Sequence, residues 1–459
     1  MALLCATLAG CQASKPVLPV EAILQPKSVQ VTPSKPSPEM ATLSTDKGET
    51  QVDLATFNYS GRGTLLYANG TKARGEWFEG KLHGFGKLQT KLQTFQGDWQ
   101  AGRRHGHGAA LYRDGSRYEG DWAQDQHHGY GTITYPNRVT YEGMWQAGKR
   151  QGFGLEQRPD HSSVKGQWQN DQRDGHAVAH FADGSSFEGE WENGHAIGSG
   201  TLNWPTGITI IGAWIDEVVR HGLIEFPEGP SYAGKIFTGR NRAYESDFAN
   251  WLELTARAGS PSVQYLLAKA HLESKLENAN LQTGLSWLER SAEQGFATAQ
   301  YELADLLVNQ DWSKAEDYLL SAAAQKHPDA HARLAEFYHR GHHYEQNLTL
   351  AVSHYQVAVA LNNLSAINNY AWLLATTDTS IADPEQALQL IGDLVLYLDS
   401  WQLLDTYAAA HARLGRFSLA TSLQQRVISG ARETTIDNLK IADLQERLRL
   451  YKSELPFLE

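Results

Sequence analysis

Cysteine is almost absent from this chain of 459 residues. Only Cys5 and Cys11 occur, both within the first eleven positions, so neither a disulfide nor a cysteine-ligated metal site can form beyond residue 11. Long hydrophobic runs are absent as well, since no stretch approaches the roughly 18 apolar residues that a membrane-spanning helix needs. The sequence therefore excludes a disulfide framework and a bilayer-spanning helix.

An excess of positive charge is also missing. The net charge is -12, and residues 59–240 hold 19 Lys and Arg against 20 Asp and Glu, whereas residues 241–459 hold 17 against 27. A protein that binds a phosphate backbone needs a basic face. The charge balance therefore argues against nucleic-acid binding.

Patterns typical of catalysis or metal binding are lacking too. The side chains of adjacent histidines such as His127-His128 point apart on a strand or helix. His83, His105 and His128 recur at a fixed spacing and are interpreted as turn-stabilising residues. Recurring carboxylates such as Glu119 are assigned to a solvated face, whereas catalysis needs one unrepeated constellation, and no Gly-x-Gly run carries the residues of a nucleotide loop. We therefore predict no catalytic residue, no cofactor and no metal ion.

Residues 1–11, MALLCATLAGC, are interpreted as a signal-like segment that ends in a lipidation site. LAGC at residues 8–11 resembles a bacterial lipobox, in which signal peptidase cuts before the cysteine and that cysteine is lipidated. The segment is short and has no Lys or Arg, so we expect the true start codon to lie upstream of Met1. The resemblance implies a lipid anchor, such as palmitate, on Cys11, and Gln12 points to the outer membrane. A chance match on a cytoplasmic protein is the alternative.

Residues 12–56 are rich in proline, serine and threonine. Such a composition cannot bury enough apolar surface to offset the entropy lost on ordering. We therefore predict a disordered linker that gives an anchored protein its reach.

A tryptophan returns at an almost constant spacing between residues 77 and 214. The interval is 22 residues once and then 23 residues five times, and glycines recur around each tryptophan. The series consists of Trp77, Trp99, Trp122, Trp145, Trp168, Trp191 and Trp214, with glycine pairs at Gly106 and Gly108, Gly129 and Gly131, and Gly152 and Gly154. A fixed period of this length indicates a repeat architecture.

Each unit of 23 residues is predicted to form two short antiparallel strands and two turns. In YEGDW at residues 118–122, Tyr and Trp fall on one face of a strand, and Glu and Asp fall on the other. Asp114-Gly115 and Asp183-Gly184 are typical hairpin turns. Because glycine weakens a strand, we expect an aromatic ring of the neighbouring repeat to cover it, with the tryptophan joining each hairpin to the next.

These residues resemble the MORN (membrane occupation and recognition nexus) repeat, whose pattern is aromatic-x-Gly-x-Trp-x-x-Gly-x-x-His-Gly-x-Gly. One copy, with Trp99, Gly102, His105, Gly106 and Gly108, fills the motif, and other copies depart from it at single positions. The resemblance implies an elongated β-sheet rod over residues 57–240 that serves protein contact, dimerisation or lipid contact. The balanced charge weakens the expectation of phospholipid binding, because anionic headgroups favour clustered Lys and Arg.

The period of the apolar residues changes from two to about 3.6 in the C-terminal half. WLELTARAGSPSVQYLLAKAHLES recurs as WLERSAEQGFATAQYELADLLVN, with Trp251 aligned to Trp287. Each unit reads as a helix-turn-helix that must stack on its neighbours to bury its apolar face. The copies resemble Sel-like repeats, and the last portion resembles a tetratricopeptide pair. The resemblance implies a solenoid over residues 241–433, a capping helix and tail at 434–459, and a concave wall that receives a peptide or another protein's helix.

Four asparagines cluster between two predicted helices of this solenoid, at Asn362, Asn363, Asn368 and Asn369. Tetratricopeptide-like domains often use asparagine to hold the backbone of a ligand, so Asn368 and Asn369 are predicted as possible peptide-binding residues. The alternative is that these asparagines cap helices and form turns.

The chain is thus predicted to be an α+β multidomain protein, an elongated single-layer antiparallel β-sheet followed by an all-α helical-repeat solenoid. Its predicted function is a non-enzymatic scaffold for protein–protein interaction in the bacterial cell envelope, anchored through Cys11 and facing the periplasm. Two binding arrays on one chain raise the local concentration of their partners, whose identity the sequence does not indicate. A phospholipid-binding module, a cell-envelope hydrolase and a cytoplasmic scaffold are the alternatives.

Overall fold

The computed structural model describes residues 40–215, 218–238, 243–434 and 438–459. A long antiparallel sheet forms the N-terminal part and paired helices form the C-terminal part, which confirms the predicted fold class. The signal-like segment 1–11, the predicted lipidation site Cys11 and most of the predicted linker lie outside the described residues.

The strands are short and follow one another closely along the chain. In order they are β1 (Met40–Thr45), β2 (Gly48–Asp53), β3 (Gly61–Tyr67), β4 (Lys72–Phe78), β5 (Lys81–Gln89), β6 (Gln93–Gln100), β7 (Arg103–Tyr112), β8 (Arg117–Ala123), β9 (Gln126–Thr134), β10 (Thr140–Gln146), β11 (Lys149–Gln157), β12 (Ser163–Gln169), β13 (Gln172–His180), β14 (Ser186–Glu192), β15 (His195–Asn203), β16 (Thr209–Ile215), β17 (Val218–Glu225), β18 (Ser231–Lys235), β19 (Phe237–Thr238) and β20 (Ala243–Tyr244).

Within the described residues, eighteen of these strands form a single sheet. Strands β3 to β18 pair in chain order, each antiparallel to the next, and β1 lies between β2 and β3. Strands β19 and β20 form a separate two-stranded ladder. Local hairpins alone therefore build the sheet, without any crossover between distant strands.

The sheet begins inside the segment that the composition assigned to the linker. Strand β1 pairs with both β2 and β3, and its Ala41 and Leu43 are buried. The linker prediction was therefore wrong for residues 40–53. The physical reason is the alternation in MATLST, which places Ala41 and Leu43 on one face of a strand although the residues before it are rich in proline.

Tight turns connect the two strands of each hairpin. Ala147 and Gly148 both have positive φ, at 51° and 81°, as a two-residue turn of type I′ requires. Gln124 and Asp125 take the same conformation without glycine, at 53° and 70°. The positions where aspartate replaces the turn glycine therefore keep the geometry of the repeat.

The C-terminal part consists of twelve helices within the described residues. In order they are α1 (Ser246–Arg257), α2 (Pro261–Leu272), α3 (Leu281–Glu293), α4 (Ala297–Leu307), α5 (Trp312–Ala324), α6 (Pro328–Arg340), α7 (Leu348–Ala360), α8 (Leu364–Thr376), α9 (Pro384–Tyr397), α10 (Trp401–Arg413), α11 (Phe417–Glu433) and α12 (Asn438–Lys452). Consecutive helices pack as pairs, for example through the small buried side chains of Ala330 and Ala351. This stacking of small residues is typical of a helical solenoid.

The sheet and the first helices share one hydrophobic core. The ring of Tyr232 in β18 lies 4.7 Å from that of Phe248 and 5.5 Å from that of Trp251, both in α1. The carboxylate of Glu228, in the turn before β18, accepts hydrogen bonds from Ser260 and Ser262 at the start of α2. The two repeat arrays are therefore joined by direct packing and by polar contacts.

Candidate binding surface

One face of the sheet, here called the inner face, buries the repeated tryptophans. Each tryptophan of the series is at most 6% exposed. Its indole Nε1–H donates to a backbone carbonyl of the preceding repeat, as in Trp145 to Gly131 at 3.0 Å and Trp122 to Gly108 at 3.1 Å. The same bond is made by Trp77, Trp99, Trp168, Trp191 and Trp214, at 3.0 to 3.4 Å. The tryptophans thus connect each hairpin to the one before it.

A second column of rings covers the second glycine of each pair, and it corrects one expectation. A Cβ added at Gly131 would lie 2.3 Å from the hydroxyl oxygen of Tyr118, and one added at Gly154 would lie 2.3 Å from that of Tyr141. The covering ring belongs to the same hairpin as the glycine, so the expectation of a ring from the neighbouring repeat was wrong. Pairing places Tyr118 on the strand next to Gly131, one residue pair away along the ladder.

The first glycine of each pair serves the backbone instead. Gly106, Gly129 and Gly152 have φ of 58°, 57° and 68°, in the left-handed region that favours glycine. The amides that follow two of them bond to carboxylates, since the His107 N–H donates to Asp98 and the Tyr130 N–H donates to Asp121. These glycines thus set the geometry of the second strand.

Polar residues on the inner face are held by one another and by the rings. Arg104, Arg150 and Arg173 occupy equivalent positions, and their guanidinium carbons lie 4.1 to 4.3 Å from the ring centroids of tryptophans. Arg150 also pairs with Glu156 at 2.6 Å. Burial opposes ionisation of Glu156, but Arg158 and Arg150 outweigh it and hold the pKa of that carboxyl below its usual range. These charges are consumed inside the structure.

His127 takes the same position as those arginines in the intervening repeat. Its ring stacks on Tyr118 at 3.7 Å, and its Nε2 lies 2.9 Å from the hydroxyl of Tyr112. Burial, with a smaller contribution from Arg104, lowers the pKa of His127 to about 3. The adjacent His128 points to the opposite, exposed side, as expected for neighbours on a strand.

The histidines and carboxylates do not gather into a reaction centre in the part of the chain that the structure describes. Among those residues, no group of three or more His, Cys, Asp or Glu side chains could hold a metal ion. His331 and His354 approach each other at 2.9 Å between their Nδ1 atoms, as a pair on two packed helices. The side chains that remain open to a partner lie on surfaces.

The opposite, outer face of the sheet exposes a central apolar patch. Tyr130, Met144 and Phe153 are 53%, 43% and 57% exposed, on the neighbouring strands β9, β10 and β11. Tyr130 and Phe153 each stand between the two glycines of a pair, and Tyr130 lies opposite Met144 in the ladder. An alternating strand that buries its glycines and rings on one face must turn these residues outward.

Charge is segregated along the outer face although its total is balanced. Residues 61–104 contain eight basic residues and three acidic ones, whereas residues 174–215 contain five acidic residues and neither Lys nor Arg. The exposed basic side chains on the first strands are Arg62, Lys72, Arg74, Lys81 and Lys87, and the exposed acidic ones on β14 are Glu188, Glu190 and Glu192. We call these two regions the basic end and the acidic end.

An open cleft of about 500 Å³ lies at the basic end. Arg62, Arg74, Glu76 and Phe85 line it, together with hydroxyl groups of the β1–β2 turn. Arg62 pairs with Glu76 at 2.8 Å, and both side chains are largely exposed. The cleft therefore offers guanidinium groups and one aromatic ring to a ligand.

The predicted asparagines of the solenoid lie in and beside α8. Asn363 caps this helix by accepting from the Ala366 N–H at 2.8 Å, and Asn362 forms the turn before it with φ of 60°. Asn368 accepts a hydrogen bond from the Thr406 hydroxyl of α10 at 2.9 Å, so its side chain joins two helices. Asn369 is half-buried in α8.

Sequence reasoning missed the outer face because it counted charge over the whole array. The segregation was visible in the order of the residues, since the stretch from 174 to 215 contains no Lys or Arg. The exposed rings were visible as the middle residues of the Gly-x-Gly triplets, whose parity places them opposite the tryptophans.

Comparison with known families identifies both arrays. The MORN repeat model matches residues 58–72, 74–90, 95–117, 118–140, 141–163, 165–186 and 187–209. The Sel1 repeat model matches residues 261–296 and 328–363. The predicted resemblances to these two repeat families are thereby confirmed.

Individual relatives cover only parts of the chain. An uncharacterized protein of Neisseria meningitidis serogroup B is 31% identical over a region that covers 24% of this chain and 30% of that protein, so the chain spans less than a third of its curated relative. A Sel1 repeat protein from Oxalobacter formigenes is 26% identical, with a TM-score of 0.25, and covers 27% of this chain and 97% of its own. A protective antigen of uropathogenic Escherichia coli with an SLR fold is 16% identical, with a TM-score of 0.32, and covers 45% and 56%.

The helices were also compared with the requirements for crossing a bilayer. Among the residues that the structure describes, every helix falls short of the length and apolar character of a membrane span.

Proposed function

We propose that this chain, which carries seven MORN repeats ahead of two Sel1 repeats, is a non-enzymatic scaffold that holds protein partners at the bacterial cell envelope. Arrays of these two types are typical of protein-interaction scaffolds. The observation that carries the proposal is the outer face of the sheet, where an exposed apolar patch lies between a basic end and an acidic end.

The central apolar patch supports a protein partner. Tyr130, Met144 and Phe153 form no part of the buried core, so their outward exposure has no role in folding the sheet. Contiguous exposed apolar side chains with charged surroundings are characteristic of interaction sites. The flanking charges would orient a partner and accelerate its association, as complementary charges do in other complexes.

The proposed location is the periplasmic side of a membrane, with Cys11 lipidated. The LAGC sequence before the proline-rich stretch supports this part of the proposal. An anchored chain with two binding arrays would raise the concentration of one partner near the other without requiring high affinity at either array.

A triple variant of the central apolar patch tests the interaction. Tyr130→Ser, Met144→Ser and Phe153→Ser together should abolish co-purification of the partner that the wild-type chain retains from envelope extracts. The melting temperature should change little, because all three side chains are exposed. A matched control replaces Gln146, Gln157 and Gln169 with serine; these are exposed on β10, β11 and β12. Equal recovery of the partner by both triple variants would contradict the proposal.

Lipid attachment is tested separately. Metabolic labelling with palmitate should mark the wild-type chain and leave the Cys11→Ser variant unlabelled, with the variant released from the membrane fraction. Labelling that persists in the variant would rule out Cys11 as the anchor.

The basic end supports a second candidate function, contact with anionic phospholipid. Clustered Lys and Arg are attracted to anionic headgroups, at about 1 kcal/mol for each residue near the surface. The Cys11→Ser chain should then float with vesicles that contain phosphatidylglycerol and not with phosphatidylcholine vesicles. Charge reversal at Arg74 and Lys87 should abolish flotation, whereas reversal at Lys165, further along the sheet, should not. Failure to float with anionic vesicles would exclude this candidate and leave the protein-binding proposal intact.

A further inference from the structure

The C-terminal residues of the chain fold back onto the solenoid. Residues 455–459, LPFLE, follow α12 without regular secondary structure. The Glu459 N–H donates to the carbonyl oxygen of Thr376 at the end of α8, at 3.0 Å. We call residues 455–459 the tail.

Two side chains of the tail contact the solenoid. The ring of Phe457 lies 5.7 Å from that of Trp372 in α8, and the guanidinium carbon of Arg447 in α12 lies 5.2 Å from both ring centroids. The carboxylate of Glu459 accepts a hydrogen bond from the indole Nε1–H of Trp372 and lies 3.8 Å from His339 Nε2 in α6. An aromatic ring and a carboxylate two residues later are thus each received by specific groups.

The receiving groups are fixed by the solenoid itself. The guanidinium of Arg447 is held by the buried carboxylate of Asp405 in α10, at 3.0 and 3.2 Å. Trp372 and Thr376 follow one another by four residues on α8 and therefore lie on one face of that helix. His339 is buried. The wall that receives the tail therefore does not depend on the tail for its own positions.

The tail fits this wall incompletely. Leu455 and Leu458 remain 52% and 42% exposed beside it, so half of the apolar surface of these leucines gains nothing from docking. The tail binds because the chain tethers it to α12, which gives it a high effective concentration. A separate segment that also buried its flanking apolar side chains would compete successfully for the same wall.

We propose that the wall formed by His339, Trp372, Thr376 and Arg447 is a binding site for a partner peptide that carries an aromatic residue two positions before a carboxylate residue. The tail occupies this site in the free chain, and the partner peptide displaces it. The proposal rests on the proposed function only in treating the solenoid as a binding module. It is independent of any partner on the outer face of the sheet.

A synthetic peptide tests the site directly. A fluorescein-labelled peptide of residues 453–459, SELPFLE, is titrated into the full-length wild-type chain and into a full-length variant with Phe457→Ala and Glu459→Ala. The variant should bind the peptide at least about tenfold more tightly, because its own tail no longer competes. Peptides with alanine at the phenylalanine or at the last glutamate should bind about tenfold more weakly than the parent peptide.

A substitution in the wall identifies where the peptide binds. Trp372→Phe in the tail variant removes the indole donor and retains a ring, and it should weaken binding about fivefold, as expected for the loss of one hydrogen bond. Circular dichroism and cooperative unfolding establish that each variant is folded. If the double variant does not fold, Glu459→Ala alone serves in its place, because it leaves Phe457 packed. A folded variant without saturable binding at millimolar peptide, or with equal affinity for the alanine-substituted peptides, would overturn the proposal.

Discussion

Tyr118 lies over Gly131, so that a Cβ added to the glycine would be 2.3 Å from the tyrosine hydroxyl oxygen. Phe95 stands in the same relation to Gly108, and Phe187 to Gly200. The glycine of the repeat is therefore a consequence of the ring beside it. The exception supports this explanation, because Ala177 replaces the glycine in the one hairpin where Val164 replaces the ring.

We predict that Gly131→Ala destabilises the chain by about 1–3 kcal/mol, the usual cost of overpacking a well-filled core. Urea denaturation measures the change. The double variant with Tyr118→Val and Gly131→Ala reproduces the pair found at Val164 and Ala177, so its cost should be smaller than the sum of the two single costs. Strictly additive costs would show that the ring does not determine the glycine.

Turn positions provide a test of backbone conformation alone. Gly115 has φ of 95°, and a Cβ placed there would meet no atom within 4 Å, so Gly115→Ala should cost about 1 kcal/mol through left-handed strain only. His161 holds the equivalent position of a later hairpin with φ of 66°. His161→Gly should therefore stabilise the chain by a few tenths of a kcal/mol up to about 1 kcal/mol, as measured by thermal unfolding. Changes of the same sign at both positions would contradict this explanation.

Acid should destabilise the sheet through His127. Its folded pKa of about 3 lies below the ordinary value near 6.5, because burial disfavours the charged ring and Arg104 adds repulsion. Between these two values the unfolded chain binds more protons than the folded one, so stability is complete above about pH 6.5 and falls as the pH is lowered towards 3. His127→Leu should reduce this pH dependence, since Leu82 occupies the equivalent position of an earlier repeat.

The matched control for that experiment is the adjacent residue. His128 is exposed on the outer face, so His128→Leu should leave the slope of stability against pH unchanged. Urea denaturation at pH 7, 6, 5 and 4 provides the comparison. A slope that His127→Leu does not alter would show that the buried imidazole is not the group responsible.

The periodicity of Trp, Gly and apolar residues was sufficient to predict a hairpin sheet followed by helical pairs. Each of these elements is set by contacts within about 23 to 36 residues, which a repeated sequence records many times. Turn chemistry was legible for the same reason, as with Asp383, which caps α9 by accepting from the Gln386 N–H at 2.9 Å.

Features that occur once were not predictable in this way. The pairing of β1 with β3 joins strands that carry no copy of the tryptophan motif, and the docking of Glu459 on Trp372 joins residues 87 positions apart. The identity of the ring over each glycine was missed because spacing alone does not distinguish a partner in the same hairpin from one in the next. Contacts of this kind depend on the three-dimensional path of the chain.

The junction between the two arrays is predicted to depend on the carboxylate of Glu228. It accepts from the Ser262 N–H at 3.3 Å and from the Ser260 hydroxyl at 3.2 Å, and Ser260 itself caps α2. A negative charge is favourable at the N-terminus of a helix, where backbone N–H groups lack partners. Glu228→Gln keeps the size of the side chain and removes its charge, so it should cost about 1 kcal/mol.

Hydrogen exchange locates that effect. In Glu228→Gln the amides of residues 262–264 at the start of α2 should exchange several-fold faster, while amides in the middle of the sheet, such as those of β9 and β10, should keep their protection. The control Glu225→Gln removes an exposed carboxylate from β17, three residues earlier, and should leave α2 unchanged. Unchanged exchange in α2 of the Glu228 variant would mean that apolar packing of Tyr232 on Phe248 and Trp251 is sufficient to join the sheet to the solenoid.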